Sequence, residues 1–149
     1  ENKYGSTNED MFSDDEKVQL NIIAGNQNIQ RGLIKTQTSV NVFTANAEEG
    51  GTLEIEIPTT HQSLIYVLEG EILVNNSDVL KKGENQMIVF NQDGNTIQFE
   101  AKQKSTLLIL SGEPTNEKIT QYGPYVMNTQ TEILEAMRDY QQGKMGYLY

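Results

Sequence analysis

Histidine is the residue type that changes charge near neutral pH, so the chain's single histidine, His61, is its ready candidate for a general base or an imidazole ligand. It follows Pro58-Thr59-Thr60 in a segment expected to connect strands, where the competing role is that of a surface or packing histidine. Glu54 and Glu56 stand two apart in Leu53-Glu54-Ile55-Glu56-Ile57. On a strand that spacing places both carboxylates on one sheet face about 7 Å apart, a separation that suits acid–base work between two carboxyl groups. The same pattern describes a solvated strand face whose other side buries Leu53, Ile55 and Ile57, and this is the reading expected here. His61, Glu54 and Glu56 are therefore the candidate metal ligands. With one histidine and no cysteine, any metal site would be almost entirely oxygen. No catalytic set is assigned.

Other residues point to packing rather than chemistry. Tyr66, inside Ser63-Leu64-Ile65-Tyr66-Val67-Leu68, is expected to fill core or pair across strands. Tyr122-Gly123-Pro124-Tyr125-Val126-Met127 combines aromatic rings, a proline and a methionine in a stiff segment, and Tyr122, Pro124, Tyr125 and Met127 are expected to anchor it on another domain or subunit. Gly112-Glu113-Pro114 lacks the glycine spacing and the lysine of a phosphate loop and reads as a turn.

The elements that position these residues are short and β-like. From Val18 to Leu110, apolar runs with period two are separated by turn residues: Val18 to Ala24, Val40 to Ala45, Leu53 to Ile57, Ser63 to Leu68, Glu71 to Val74, Val79-Leu80, Gln86 to Phe90, Thr96 to Ala101 and Thr106 to Leu110. Glu69-Gly70 suggests a hairpin, and Asn75 to Asp78 the next turn. So many short strands without an intervening helix predict an all-β, closed or sandwiched antiparallel barrel. Thr129-Gln130-Thr131-Glu132 has the form of a capping box and starts a helix from Thr129 to Gln142, with Ile133, Ala136, Met137 and Tyr140 on one face and Gly143 as its stop. Residues 1–16, rich in acids and poor in apolar groups, predict a flexible arm, leaving 17–149 as the folded domain.

Composition excludes several classes of function. The 149 residues carry 11 Lys and Arg against 21 Asp and Glu, a net charge of −10, which repels phosphate backbones and anionic lipid surfaces. Direct nucleic-acid and membrane binding are not expected. The absence of cysteine removes disulfides, thiolate sites and thiol nucleophiles, and a cytoplasmic setting is expected. The chain begins at Glu1 rather than methionine, which fits a processed product or one part of something longer.

The stretch from Ser111-Gly112-Glu113-Pro114 through Tyr122-Gly123-Pro124-Tyr125-Val126-Met127-Asn128-Thr129 to Ile133, Ala136, Asp139-Tyr140 and Gly143-Lys144 resembles the carboxy-terminal signature of the pirin family. Upstream, Ile23-Ala24-Gly25 and the segment from Pro58 to Glu71 are similar to the same family's second cupin barrel. The resemblance implies a double-stranded β-helix barrel of the cupin (jelly-roll) type with one C-terminal α-helix. It also implies a domain that is the second of two in tandem. The family's metal, usually iron, belongs to the first barrel, on three histidines and a glutamate. Laid on this chain, that ligand pattern falls on Glu56 and Pro58 at the His-x-His positions and on Gln62 at the glutamate position, with no histidine between Gly83 and Thr96 for the third. The expectation is a barrel without its own cofactor whose partner is a metal-bearing N-terminal cupin or a second copy of itself. The alternatives are part of a quercetin 2,3-dioxygenase, with catalysis resting elsewhere than on this chain alone, or a barrel that binds a small molecule in its interior.

Overall fold

The structure is a computed structural model that describes residues 10–146. The chain divides into two compact units, one ending at Pro114 and one beginning at Thr115.

The first unit is a two-layer β-structure. Its strands are β1 (Asp10–Phe12), β2 (Val18–Ala24), β3 (Asn26–Gln27), β4 (Gln30–Arg31), β5 (Val40–Ala47), β6 (Thr52–Glu56), β7 (Gln62–Glu69), β8 (Glu71–Val74), β9 (Asp78–Lys81), β10 (Met87–Val89), β11 (Thr96–Ala101) and β12 (Ser105–Gly112). A six-stranded sheet runs β1-β2-β5-β12-β7-β10 and a four-stranded sheet runs β6-β11-β8-β9, with antiparallel pairing throughout both. Strict alternation makes each strand two-faced, since successive side chains point to opposite sides of a pleated sheet. In β6 the pattern buries Leu53 and Ile55 and exposes Glu54 and Glu56, as the solvated-face reading expects. The core between the layers holds Leu20, Ile22, Phe43, Ile65, Ile109 and Phe99, each 1% exposed or less.

Two local features differ from the sequence expectation. Glu69-Gly70 does not close a hairpin: β7 pairs with β12 and β10, whereas β8 pairs with β9 and β11. Gly70, at φ +89°, is the corner where the chain leaves one layer for the other, and a Cβ there would sit 2.2 Å from Ser105 Oγ. That hydroxyl accepts the Glu71 N–H, so serine and glycine together make the corner. The hairpin lies one turn later, where Asn75 and Asn76 both take the left-handed conformation that a primed turn requires.

The arm expected over residues 1–16 needs a similar correction. Its first nine residues lie outside the described ones, but residues 10–16 are a strand and a tight turn. β1 adds to the edge of β2, Met11 packs against the core, and Ser13 Oγ accepts the Val18 N–H while donating to Asp15. The Ser13 hydroxyl and then the Lys17 N–H hold the Asp15 carboxyl below its ordinary range. Backbone pairing and a local polar turn here outweigh the acidic composition.

The second unit comprises β13 (Thr120–Tyr122), β14 (Tyr125–Met127) and α1 (Gln130–Gln141). The two strands form a hairpin that packs with the helix. Thr129 is the N-cap: its hydroxyl accepts the Glu132 N–H at 3.3 Å and the Glu132 carboxylate accepts the Thr129 N–H at 2.8 Å, which completes the capping box. Ile133 and Ala136 are buried, Met137 is half-buried and Tyr140 is exposed, so the expected stripe is covered only at its N-terminal end. No helix among the described residues is long and apolar enough to cross a membrane.

Candidate functional site

The inward face of the six-stranded sheet is laid out in rows. Ile22, Phe43, Ile109 and Ile65 are successive partners across β2, β5, β12 and β7. Two residues further along the strands the next row reads Asn41, Ser111 and Ser63, still inward and still buried. The core therefore turns polar at one end of the barrel, and a buried polar group is tolerated only when hydrogen-bonded.

His61 supplies the partner. It lies one residue before β7, 4% exposed, in a turn closed by its own N–H donating to Pro58 O at 2.9 Å. Its Nδ1 lies 3.0 Å from Ser111 Oγ and its Nε2 lies 3.0 Å from Ser39 Oγ. Asn41 Nδ2 donates to Ser111 Oγ at 3.0 Å, and Asn41 Oδ1 accepts the Asn26 N–H at 3.2 Å. Gly25, at φ +83°, permits this approach, because a Cβ at that position would lie 2.0 Å from Asn41 Oδ1. Beside it the Gln27 amide, oriented to donate to Glu56 O at 3.1 Å and accept from Glu56 N at 2.9 Å, ties the β3 turn to β6 like one more rung of sheet.

The network closes on itself. With Ser111 accepting from Asn41, its hydroxyl proton can go to Nδ1 and Nε2–H to Ser39. In the other tautomer Nδ1–H donates to Ser111 and Ser39 donates to Nε2. Either way both imidazole nitrogens are occupied by neutral hydroxyls. The cluster orders the barrel end and leaves no ring nitrogen aimed at open space.

Over this cluster opens a cleft of about 420 Å³, bounded by Asn28, Ser39, Asn41, Asn95, Glu56 and Ile57 among others. Its polar groups are amides and hydroxyls with one carboxylate and the His61 imidazole, a lining suited to hydrogen-bonding a polar molecule. Glu56 reaches the rim that His61 underlies, whereas Glu54 faces a different cleft with Asp14, Asp15 and Gln98. The three candidate metal ligands are thus not brought together. Glu56 and Gln62 have exposed side chains, and among the described residues no three His, Asp or Glu groups converge as a metal would need.

Sequence reasoning missed Ser39, Asn41, Ser63 and Ser111. The signal was present in the alternation: Asn41, Ser63 and Ser111 each stand two residues beyond an inward apolar residue, namely Phe43, Ile65 and Ile109. Tyr66 faces outward, half-buried, between Met87 and Leu108 on the neighbouring strands. In the second unit Tyr122 is 57% exposed, Pro124 is exposed, and Tyr125 and Met127 are half-buried.

A two-layer antiparallel jelly roll whose inward rows turn polar at one end is the architecture of a cupin domain. The chain belongs to the pirin family: residues 42–146 match the Pirin C-terminal cupin domain. It is 32% identical to a putative quercetin 2,3-dioxygenase of Pseudomonas aeruginosa, over 87% of this chain and 44% of that protein. It is 30% identical to a pirin-like protein of Solanum lycopersicum, over 87% of this chain and 45% of the relative. Among solved structures it superposes on a quercetin 2,3-dioxygenase from Acinetobacter baumannii with a TM-score of 0.82 and 32% identity, covering 94% of this chain and 48% of that one. The chain spans about half the length of the relatives it matches.

Proposed function

We propose that this chain is a cupin domain without chemistry of its own, a structural partner that packs against a metal-bearing N-terminal cupin or against itself. The observation that carries this reading is the closed hydrogen-bonded set of His61, Ser39, Ser111 and Asn41 at the barrel end, where the one imidazole has both nitrogens engaged. Metal-dependent oxygen chemistry needs several convergent donors with coordination positions left open. Here Glu56, Pro58 and Gln62 stand at the family's ligand positions. In the second unit, Tyr122, Pro124, Tyr125 and Met127 are the anchors for a neighbouring domain.

Two of the relatives described above are named quercetin 2,3-dioxygenases, which supports a second reading in which this domain forms one wall of a two-barrel flavonol dioxygenase. Both readings assign this chain by itself no turnover. The test is oxygen consumption and flavonol loss by the purified chain supplied with ferrous iron and quercetin. The expected rate equals that of the protein-free control. Turnover that disappears in His61→Asn, with the melting temperature unchanged, would overturn the proposal.

A further inference from the structure

The buried polar groups around His61 hold more than the core. Three side chains that line the cleft above them, Asn26, Glu56 and Asn95, are exposed and make no hydrogen bond or ion pair among the described residues. The backbone that carries each of them is nevertheless fixed. The Asn26 N–H donates to Asn41 Oδ1 at 3.2 Å, the Glu56 N–H and carbonyl are both taken by the Gln27 amide, and the Asn95 carbonyl accepts the Ile57 N–H at 2.7 Å. Asn41 and Gln27 are 6% and 3% exposed, so the groups that hold are buried and the groups held line the cleft. Uncommitted polar groups on a fixed backbone give up little freedom when a ligand arrives, which separates a binding surface from an ordinary solvated loop.

The same groups select a ligand by charge and by hydrogen-bonding type. No lysine or arginine lines the cleft, Glu56 places a carboxylate in it, and the chain carries a net charge of −10, so anionic molecules are repelled. A cation finds a single carboxylate, exposed to water, among amides that donate as well as accept, and no three His, Asp or Glu groups converge among the described residues. A hydroxyl donates and accepts at one oxygen, so it pairs with either end of an amide and with a carboxylate. Several hydroxyls on one frame can therefore engage Asn26, Glu56 and Asn95 together. The cleft, at about 420 Å³, has the size of a small-molecule site. We propose that it binds a neutral polyhydroxylated molecule of monosaccharide size, with Glu56 accepting hydroxyl protons and Asn26 and Asn95 each donating to one hydroxyl and accepting from another. Binding without turnover goes beyond the packing reading and does not depend on it.

Amide NMR spectra of the isotope-labelled chain, titrated separately with D-glucose, D-galactose, D-mannose and L-rhamnose, are the test. At least one of the four sugars is expected to move the signals of Gly25, Asn26, Ile57 and Asn95 saturably in the millimolar range, leaving those of β9 in place. The phosphate monoester of that sugar is expected to bind at least tenfold more weakly. Glu56→Gln and Asn95→Ala are each expected to raise the dissociation constant at least about threefold with melting unchanged, since each removes a hydrogen-bonding group and leaves the backbone bonds intact. Glu54→Gln, the same exchange beside the other cleft, leaves it unchanged. No saturable shift with any of the four sugars, shifts confined to other parts of the barrel, equal binding of the phosphate ester, or an affinity that both Glu56→Gln and Asn95→Ala leave intact would each overturn the proposal.

Discussion

At the scale of single residues, a glycine and a serine decide more here than the charged groups that first attract notice. Gly25 is where the β2–β3 turn passes within reach of Asn41, and the network that holds His61 depends on that approach. Gly25→Ala forces a side chain into a left-handed backbone and displaces Asn41 from Ser111, an expected loss of about 2–4 kcal/mol. Urea unfolding measures it, and a variant as stable as the parent would show that the turn relaxes freely. Asp15 gives a pH-dependent counterpart. Its folded-state carboxyl is held low by Ser13 and then Lys17, so its contribution is complete above the ordinary carboxylate range and is lost as pH falls through the lowered value. Asp15→Asn should therefore flatten the acid limb of the stability curve below about pH 4. Equal acid slopes for parent and variant would remove this role. His61 itself was legible as the chain's one imidazole, but its hydroxyl partners were not, because serine and asparagine on an inward strand position look like errors in the pattern until the register places them in one row.

Among the elements, those with a strong local signal were readable and those set by tertiary pairing were not. Alternation in β2 and β6 identifies the strands and their buried faces, whereas β12 is apolar on both faces from Leu107 to Leu110 and β5 buries Asn41 between two outward valines, so their inward faces appear only once the strands are paired. The helix start was equally plain, because the capping box is a local device: Thr129 and Glu132 satisfy each other's backbone. Thr129→Ala is expected to cost about 1 kcal/mol of helix stability, seen as faster amide exchange over α1 with the barrel amides unaffected. Exchange rates that do not change would mean the hairpin alone holds the helix. The corner at Gly70 was misread as a hairpin because a glycine between two apolar runs fits both, and only strand pairing across the layers tells them apart. β1 was missed for a related reason. Three residues in an acidic segment carry no periodicity, and they become a strand only because β2 offers an edge.

For the whole molecule, the fold and family follow from alternation and from the carboxy-terminal signature, whereas the proposed role rests on the hydrogen-bonded cluster around His61. The four-stranded sheet turns carboxylates and amides outward, and one end of the barrel holds a lone imidazole between two hydroxyls. We read that combination as the proposed packing domain, with any metal chemistry resting on another part of the assembly. The direct measurement is metal content. The purified chain is dialysed against ferrous iron or nickel(II), then against metal-free buffer, and analysed by elemental mass spectrometry. The account predicts far less than one metal ion per chain, with the same value for His61→Ala. One tightly held ion per chain, lost on replacing His61, would contradict it.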